Sequence, residues 1–419
     1  MRYDPSPLIA PRSADQSCLV LPPTSVTYKV AEFFAGIGLA RQGLEAADVG
    51  FGVVWANDLD MGKAKTYNGH FKTDPPEHYK IEDIRNVAKS IDEFGVPRDL
   101  DLAWASFPCT DLSLAGGREG LNGSQSVTFW HFTDVLAALG EDMPPVVALE
   151  NVNGFATSHG GRDIKVAVRK LNKLGYWVDI LTLDARRFVP QSRPRLFLIA
   201  SKGEVAKKDH RANTALRPSW LDSVLDDPGL RTQRAFLPEP PDLLSEGWTA
   251  MADHDEAPGV EWWDAKRTKK FHDELSEIQL ERVAGLRATG KVAYRTAYRR
   301  TRNGKPAWEI RADDIAGCLR TAGGGSSKQA VVRIESDRQL KVRWMTASEY
   351  AKLMGAADYV LPDGRVQSVT GFGDAVCVDA VKWLAKCYLG PLVSGTLLAS
   401  DGVEGLEPVE EHVLEPVAA

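Results

Sequence analysis

Leu100-Asp101-Leu102-Ala103-Trp104-Ala105-Ser106-Phe107-Pro108-Cys109 is an apolar run that ends on a proline and then presents a thiol. A stretch rich in Leu, Ala and Trp reads as a buried strand, and Pro108 stops it. The thiol therefore lies on the loop after a strand. In open α/β sheets, ligands and chemistry gather at the carboxyl ends of strands. Cys109 is thus a candidate nucleophile, although an isolated cysteine is more often a packed core thiol. The rest of the chain has to carry the choice.

Outward from this run, strand and helix patterns alternate. Val26 to Phe34 reads as a strand, followed by a glycine-containing turn and a helical segment from Leu39 to Ala47. Further strand runs are Gly52–Ala56, Val146–Glu150, Val178–Asp184 and Arg195–Ala200, with helical stretches such as Ser126–Leu139 and Ile164–Leu174 between them. This alternation predicts an α/β fold with a mostly parallel sheet covered by helices. Residues 1–25 hold five prolines and no periodicity, and read as a loose arm. After about residue 205 the character changes to proline-rich, acidic sequence. Arg282 to Arg311 then carries nine Lys/Arg against one acid, Glu309, with Tyr294, Tyr298 and Trp308 interleaved. A charge run is by default a solvated surface, but such segregation of sign also suits a phosphate backbone. Gly390 to Ala419 has six acids and no Lys or Arg, and reads as disordered.

With 51 Lys+Arg against 57 Asp+Glu, overall charge does not announce a nucleic-acid binder. The five cysteines (18, 109, 318, 377, 387) form no Cys-x-x-Cys pair, so neither a disulfide framework nor a metal site is expected. No secretory leader is visible, and Val381 to Ala399 is too interrupted to span a membrane. A cytoplasmic protein is expected.

The turn Phe34-Ala35-Gly36-Ile37-Gly38 follows a strand and opens a helix, where glycines allow close approach to a ligand. Asp58, in Trp55-Ala56-Asn57-Asp58, sits at a strand end where a carboxylate accepts bonds from a ribose diol, and Asp83-Ile84 sits at the edge of a third strand. Each acid alone is more often a cap or turn residue. Taken with Phe107-Pro108-Cys109, Glu150-Asn151-Val152 and Gln191-Ser192-Arg193-Pro194-Arg195, the order is specific. The chain resembles the DNA cytosine-5 methyltransferase family of bacterial and phage restriction-modification type. That family shows a Phe-x-Gly-x-Gly loop, a Pro-Cys loop, Glu-Asn-Val and Gln-x-Arg-x-Arg in this sequence, then a variable recognition region. Two closing motifs follow, here Arg343-x-x-Thr346-x-x-Glu349 with Leu353 and Gly355, and Gly373-Asp374-Ala375-Val376, read as opening a helix. Three positions depart from the family pattern: Thr110 follows Pro-Cys in place of Gln, Asp374 replaces Asn, and the ribose acid is Asp58 rather than Glu.

The resemblance implies a Rossmann-like S-adenosylmethionine-dependent methyltransferase fold with a smaller target-recognition domain. The catalytic domain would span 26–205 and 368–390, the recognition domain 206–367, and an acidic tail 391–419. It implies Cys109 as nucleophile on cytosine carbon 6, Glu150 as partner of ring N3 and the amine, and Arg193 and Arg195 as donors near the base; either arginine could instead pair with Glu150 structurally. Phe34, Gly36, Ile37, Gly38, Asp58, Leu59, Asp83, Ile84, Phe107, Pro108, Asp374 and Val376 would form the site for S-adenosylmethionine. Ser113, Arg299, Arg300, Arg302, Gly324 and Ser326 are the candidate contacts to double-stranded DNA. The glycine-rich stretches 111–125 and 323–327 read either as mobile contacts to DNA or as ordinary connections. The enzyme would act as a monomer on DNA, beside any cognate restriction endonuclease. Rival readings are a tRNA cytosine-5 methyltransferase, a catalytically silent DNA-binding homologue and a Rossmann-type oxidoreductase; the last leaves Pro108-Cys109 and Gln191–Arg195 without a purpose.

Overall fold

The computed structural model describes residues 28–108, 127–302, 304–321, 328–336, 340–361 and 365–399. Seven strands make the larger sheet: β1 (Tyr28–Phe33), β2 (Phe51–Asp58), β3 (Tyr79–Ile81), β4 (Leu102–Ala105), β5 (Val146–Val152), β6 (Trp177–Asp184) and β7 (Pro194–Ser201). Their order is β3-β2-β1-β4-β5-β7-β6. Only β7 runs against its neighbours β5 and β6; the remaining pairs are parallel. The expected mostly parallel α/β sheet is therefore present, and all six anticipated strand runs form with small shifts at their ends.

Strand periodicity explains how this sheet is covered on both faces. Along β4, Ala103 and Ala105 pack with Phe129, Phe132 and Leu136 of helix Thr128–Leu139 and with Ile164 and Val168 of helix Arg162–Lys173. Leu102 and Trp104 point the other way, onto Ala40 and Leu44 of helix Leu39–Glu45 and Val381 and Leu384 of helix Val378–Leu384. Burying one such large apolar side chain contributes about 1.5–3 kcal/mol. The two layers together fix the carboxyl ends of the central strands as one rigid edge.

The smaller sheet has the order β11-β10-β8-β9, all antiparallel, from β8 (Ala293–Arg302), β9 (Lys305–Ile310), β10 (Gln329–Ile334) and β11 (Lys341–Trp344). Ala297, Trp308, Ala330 and Val332 face helices Ala265–Asp273 and Glu277–Ala288 through Phe271 and Val283. The other face sets Tyr294 and Val331 against a cluster that includes Ile37 and Leu39 of the large unit.

Packing moves the expected boundaries. Residues 206–237 belong to the large unit: Thr182 N donates to Leu216 O (2.8 Å), and Val178 N to Arg231 O (3.1 Å). Arg217 there is buried on Asp179, Nη2 to Oδ2 at 2.6 Å. Tyr350, Leu353 and Met354 pack with Ile37, and Tyr359 Oη donates to Ile37 O at 2.7 Å, so the return to the large unit precedes residue 368. The expected loose tail is docked from 391 to 399, where Leu392 is buried and Ala399 N donates to Glu204 O (3.0 Å). Residues 1–25 and 400–419 lie outside the described residues. Gly373-Asp374-Ala375-Val376 joins two helices rather than opening one: Arg365–Asp374 ends there, and Val378–Leu384 begins after it. Cys318 and Cys377 are free thiols. Among the described residues no helix is long and apolar enough to cross a membrane.

Candidate active site

The carboxyl ends of β1, β2, β4 and β5 open into one cavity of about 430 Å³. Because β7 runs antiparallel, its amino end arrives at the same edge, with Arg195 in register with Val152. That reversal brings two distant motifs together: Arg195 Nε lies 3.0 Å from Glu150 Oε1. Ten of the twelve expected cofactor residues line the cavity, namely Phe34, Gly36, Asp58, Leu59, Asp83, Ile84, Phe107, Pro108, Asp374 and Val376. Ile37 and Gly38 do not. Ile37 is buried in the cluster between the two units, and Gly38 (φ 79°) starts the helix where a Cβ would strike the Tyr67 ring at 2.6 Å.

The turn after β1 has a constrained backbone. Phe34 holds φ 56° and Gly36 φ 58°, the left-handed region that costs a side-chain-bearing residue roughly 1–2 kcal/mol. Asp58 closes the turn by accepting from Gly36 N (3.0 Å) and from Asp60 N (2.9 Å), while Tyr79 Oη donates to Gly36 O (3.0 Å). Asp83 caps helix Ile84–Lys89 through Arg85 N and pairs with the Arg85 side chain, which holds its carboxyl below the usual range. The cap role and a place on the cavity wall coincide in this residue.

Glu150 is buried on the cavity wall. Burial pushes its carboxyl above the ordinary range, opposed by Arg195, Arg193 and a hydrogen bond from Ser106. The next residue, Asn151, donates from Nδ2 to Phe107 O at 3.2 Å and so fixes the loop that leads to Cys109. Cys109 itself, like Ser113, Gly324 and Ser326, lies outside the described residues.

Arg193 is committed elsewhere. Its Nη1 donates to Leu319 O (2.8 Å) and sits 3.3 Å from Cys318 Sγ; Nη2 donates to Gly373 O (3.0 Å) and Ala375 O (2.5 Å). Gln191, fully buried, adds Nε2 to Leu353 O (2.6 Å) and accepts from Leu319 N (2.9 Å). The Gln-x-Arg-x-Arg run therefore splits by role: Gln191 and Arg193 tie three chain segments together, and Arg195 meets the carboxylate. In the same way Arg343 and Glu349 form a completely buried pair (2.7 Å), and Glu349 also completes a capping box with Thr346 on helix Ala347–Leu353.

Sequence reading missed Glu32 and Lys63. Glu32 occupies a core-facing position of β1, and burial pushes its carboxyl up to about 8. Its Oε2 is buried with no hydrogen-bond partner among the described residues, on the cavity wall. The signal was an acid inside an otherwise apolar strand. The candidate DNA contacts occupy two faces of β8. Tyr298, whose Oη donates to Cys318 O (2.9 Å), shares its face with Arg300 and Arg302, whereas Arg299 lies opposite and pairs with Glu274 (2.7 Å). Arg300 and Arg302 both approach Glu309.

A profile of the family described as C-5 cytosine-specific DNA methylase matches residues 28–389. The Type II methyltransferase M.Bsp6I of Bacillus sp. (strain RFL6) is 34% identical over 173 residues, 41% of this chain and 51% of that protein. M.BanI of Aneurinibacillus aneurinilyticus is 32% identical over 196 residues, 46% of this chain and 42% of that protein. The matches thus span about half the length of these relatives. M.HpaII of Haemophilus parainfluenzae aligns further, at 25% identity over 86% of this chain and 89% of its own. Among solved structures, the S. pombe Dnmt2 methyltransferase superposes with TM-score 0.55 at 18% identity, covering 88% of this chain and 99% of that one. The Entamoeba histolytica methyltransferase EhMeth gives 0.60 at 15%, covering 89% and 99%. At such identities the two structures speak for the fold. The profile spans both sheets and every motif described above, and the chain belongs to the C-5 cytosine-specific DNA methylase family.

Proposed function

We propose that the protein is a DNA cytosine-5 methyltransferase that uses S-adenosylmethionine to methylate carbon 5 of a flipped cytosine in a specific duplex sequence. The observation that carries this reading is the buried Glu150–Arg195 pair (3.0 Å) facing the same cavity as the Phe107-Pro108 loop that leads to Cys109. The donor's chemistry fits the wall. A sulfonium and an α-ammonium are cations, and the lining carboxylates are Asp58, Glu82, Asp83 and Asp374, beside the buried carboxyls of Glu32 and Glu150. Glu32 offers an orphaned oxygen, Asp58 a carboxylate for the ribose diol and Phe34 a ring for the adenine. When bound, S-adenosylmethionine supplies an electrophilic methyl group.

The chain's residues supply the rest. A target atom inside the duplex requires extrusion of the base into the pocket. The Cys109 thiolate adds to carbon 6, which breaks the ring's conjugation and makes carbon 5 enamine-like. Glu150, whose buried carboxyl favours the protonated form, hands a proton to N3 as the thiolate adds. Arg195 orients Glu150 and offers a donor toward the ring carbonyl. Arg193 acts by holding the junction 373–375 against 318–319. After carbon 5 has gained the methyl group, loss of its proton to water expels Cys109, and N3 returns its proton to Glu150. One proton leaves for each methyl group gained.

The smaller unit would select the sequence, with Arg300 and Arg302, on the face of β8 opposite Arg299, at phosphates and base edges. The relatives' designation as Type II methyltransferases supports a restriction-modification setting, with a cognate endonuclease acting separately and this chain working as a monomer on DNA. Bisulfite sequencing of duplex DNA incubated with the protein and S-adenosylmethionine should reveal protected cytosines in one sequence word. Protection confined to a parallel tRNA sample would shift the substrate to RNA, and protection in neither would refute the reading.

A further inference from the structure

Resting on the donor reading above, we propose that Lys63 is the carboxylate-binding residue of the donor site, and that Asp374 holds its place through an ion pair which the donor's α-carboxylate displaces. Lys63 Nζ lies 2.9 Å from Asp374 Oδ2, the two side chains being 20% and 45% exposed on the cavity wall. Helix Met61–His70 carries the lysine, and its first turn is anchored by Asp60, which accepts from Gly62 N (2.7 Å) and Lys63 N (3.0 Å). The stem of Lys63 lies along the turn after β1, since a Cβ on Gly36 would meet Lys63 Cδ at 4.0 Å.

Elimination among the cavity's cations leads to the same residue. The lining cations are Lys63, Arg193 and Arg195. Arg193 is spent on main-chain carbonyls and Arg195 on Glu150. The Gly36 amide, the main-chain donor beside it, is taken by Asp58 (3.0 Å). A carboxylate entering beside Gly36 therefore meets Lys63. Burial works against the lysine's charge, but Asp374 and Asp58 outweigh it and keep the ammonium above its ordinary range. An amino-acid zwitterion fits this end: its carboxylate replaces Asp374 on Lys63, Asp374 turns to solvent, and its ammonium meets the orphaned Glu32 oxygen, whose carboxyl releases its proton to water to take that charge. The arrangement also accounts for an acid at 374 where the family pattern has Asn.

Calorimetric titration separates this from a structural ion pair, with S-adenosylhomocysteine and 5′-methylthioadenosine as probes; the second lacks the amino-acid end. Lys63→Met should weaken the first by about tenfold or more and leave the second unchanged, which also certifies folding. Lys63→Arg should restore the first, and Asp374→Asn should bind it as well as the parent or better. Equal affinity of parent and Lys63→Met for S-adenosylhomocysteine would overturn the inference. So would a parallel loss for both probes, or a loss in Asp374→Asn matching that of Lys63→Met. A parent that binds neither nucleoside would sink the donor reading itself, and the inference with it.

Discussion

The strand-end cavity and the β8–β9 hairpin both concentrate charge, yet they do so by opposite routes. In the cavity, charges distant in sequence converge because parallel strands end on one edge and β7 starts there: Glu150 and Arg195 meet across 45 residues of chain. In the hairpin, charges adjacent in sequence diverge, because successive strand residues face opposite sides. Arg299 turns to Glu274 on the helix side, while Arg300 and Arg302 share the opposite face near Glu309. Proximity in a sequence thus misjudges both regions, underrating the first and overrating the second.

The largest effects should come from breaking the cavity. Glu150→Gln should lower the rate of methyl transfer by about 10²–10⁴ while S-adenosylhomocysteine still binds, measured by tritium transfer to duplex DNA. Because burial raises the Glu150 carboxyl, the parent's Glu150-dependent advantage should fade as pH rises through that raised value, and the Gln variant should lack this limb. A variant as fast as the parent would remove Glu150 from the chemistry. Next in size is the buried tie between units: Arg343→Met leaves Glu349 uncompensated, which should cost about 3–5 kcal/mol in urea unfolding. A loss below about 1 kcal/mol would mean that the pair is dispensable.

The hairpin supplies a smaller and more discriminating test. Replacing Arg300 and Arg302 with Gln should flatten the salt dependence of DNA binding by roughly two units of slope, whereas Arg299→Gln should leave it nearly unchanged. Equal slopes in all three proteins would erase the distinction between the two faces. The smallest effect concerns Glu32. Its carboxyl stands near 4.5 when exposed and about 8 when folded, so the native state loses stability as pH rises through that window. Relative to the parent, Glu32→Gln should therefore gain a few degrees of Tm between around pH 5 and around pH 9. A Tm difference independent of pH would deny the buried carboxyl.

Much of the large unit was legible because buried strands announce themselves as apolar runs, and the turn after β1 because Gly36 needs a positive φ. The direction of β7 was not, since an antiparallel strand has the same apolar pattern as a parallel one. Arg193 and Arg195 look alike in sequence, and only the backbone carbonyls of 319, 373 and 375 tell them apart. Lys63 was hidden for a similar reason: a lysine on a short helix resembles any solvated side chain until Asp374 arrives from 311 residues away. The boundary at 206 failed because the proline-rich segment after it, though irregular, hydrogen-bonds along β6.

The central claim is a transient bond between Cys109 and carbon 6 of an extruded cytosine. A duplex carrying 5-fluorocytosine at the target position tests it directly, because fluorine cannot leave as the proton does and the adduct is trapped after methyl transfer. Incubation with S-adenosylmethionine should yield a denaturation-resistant protein–DNA species whose crosslinked peptide contains Cys109, and Cys109→Ala should yield none. Methylation of ordinary cytosine by the parent without any trapped species, or an equal yield from the Ala variant, would contradict the account.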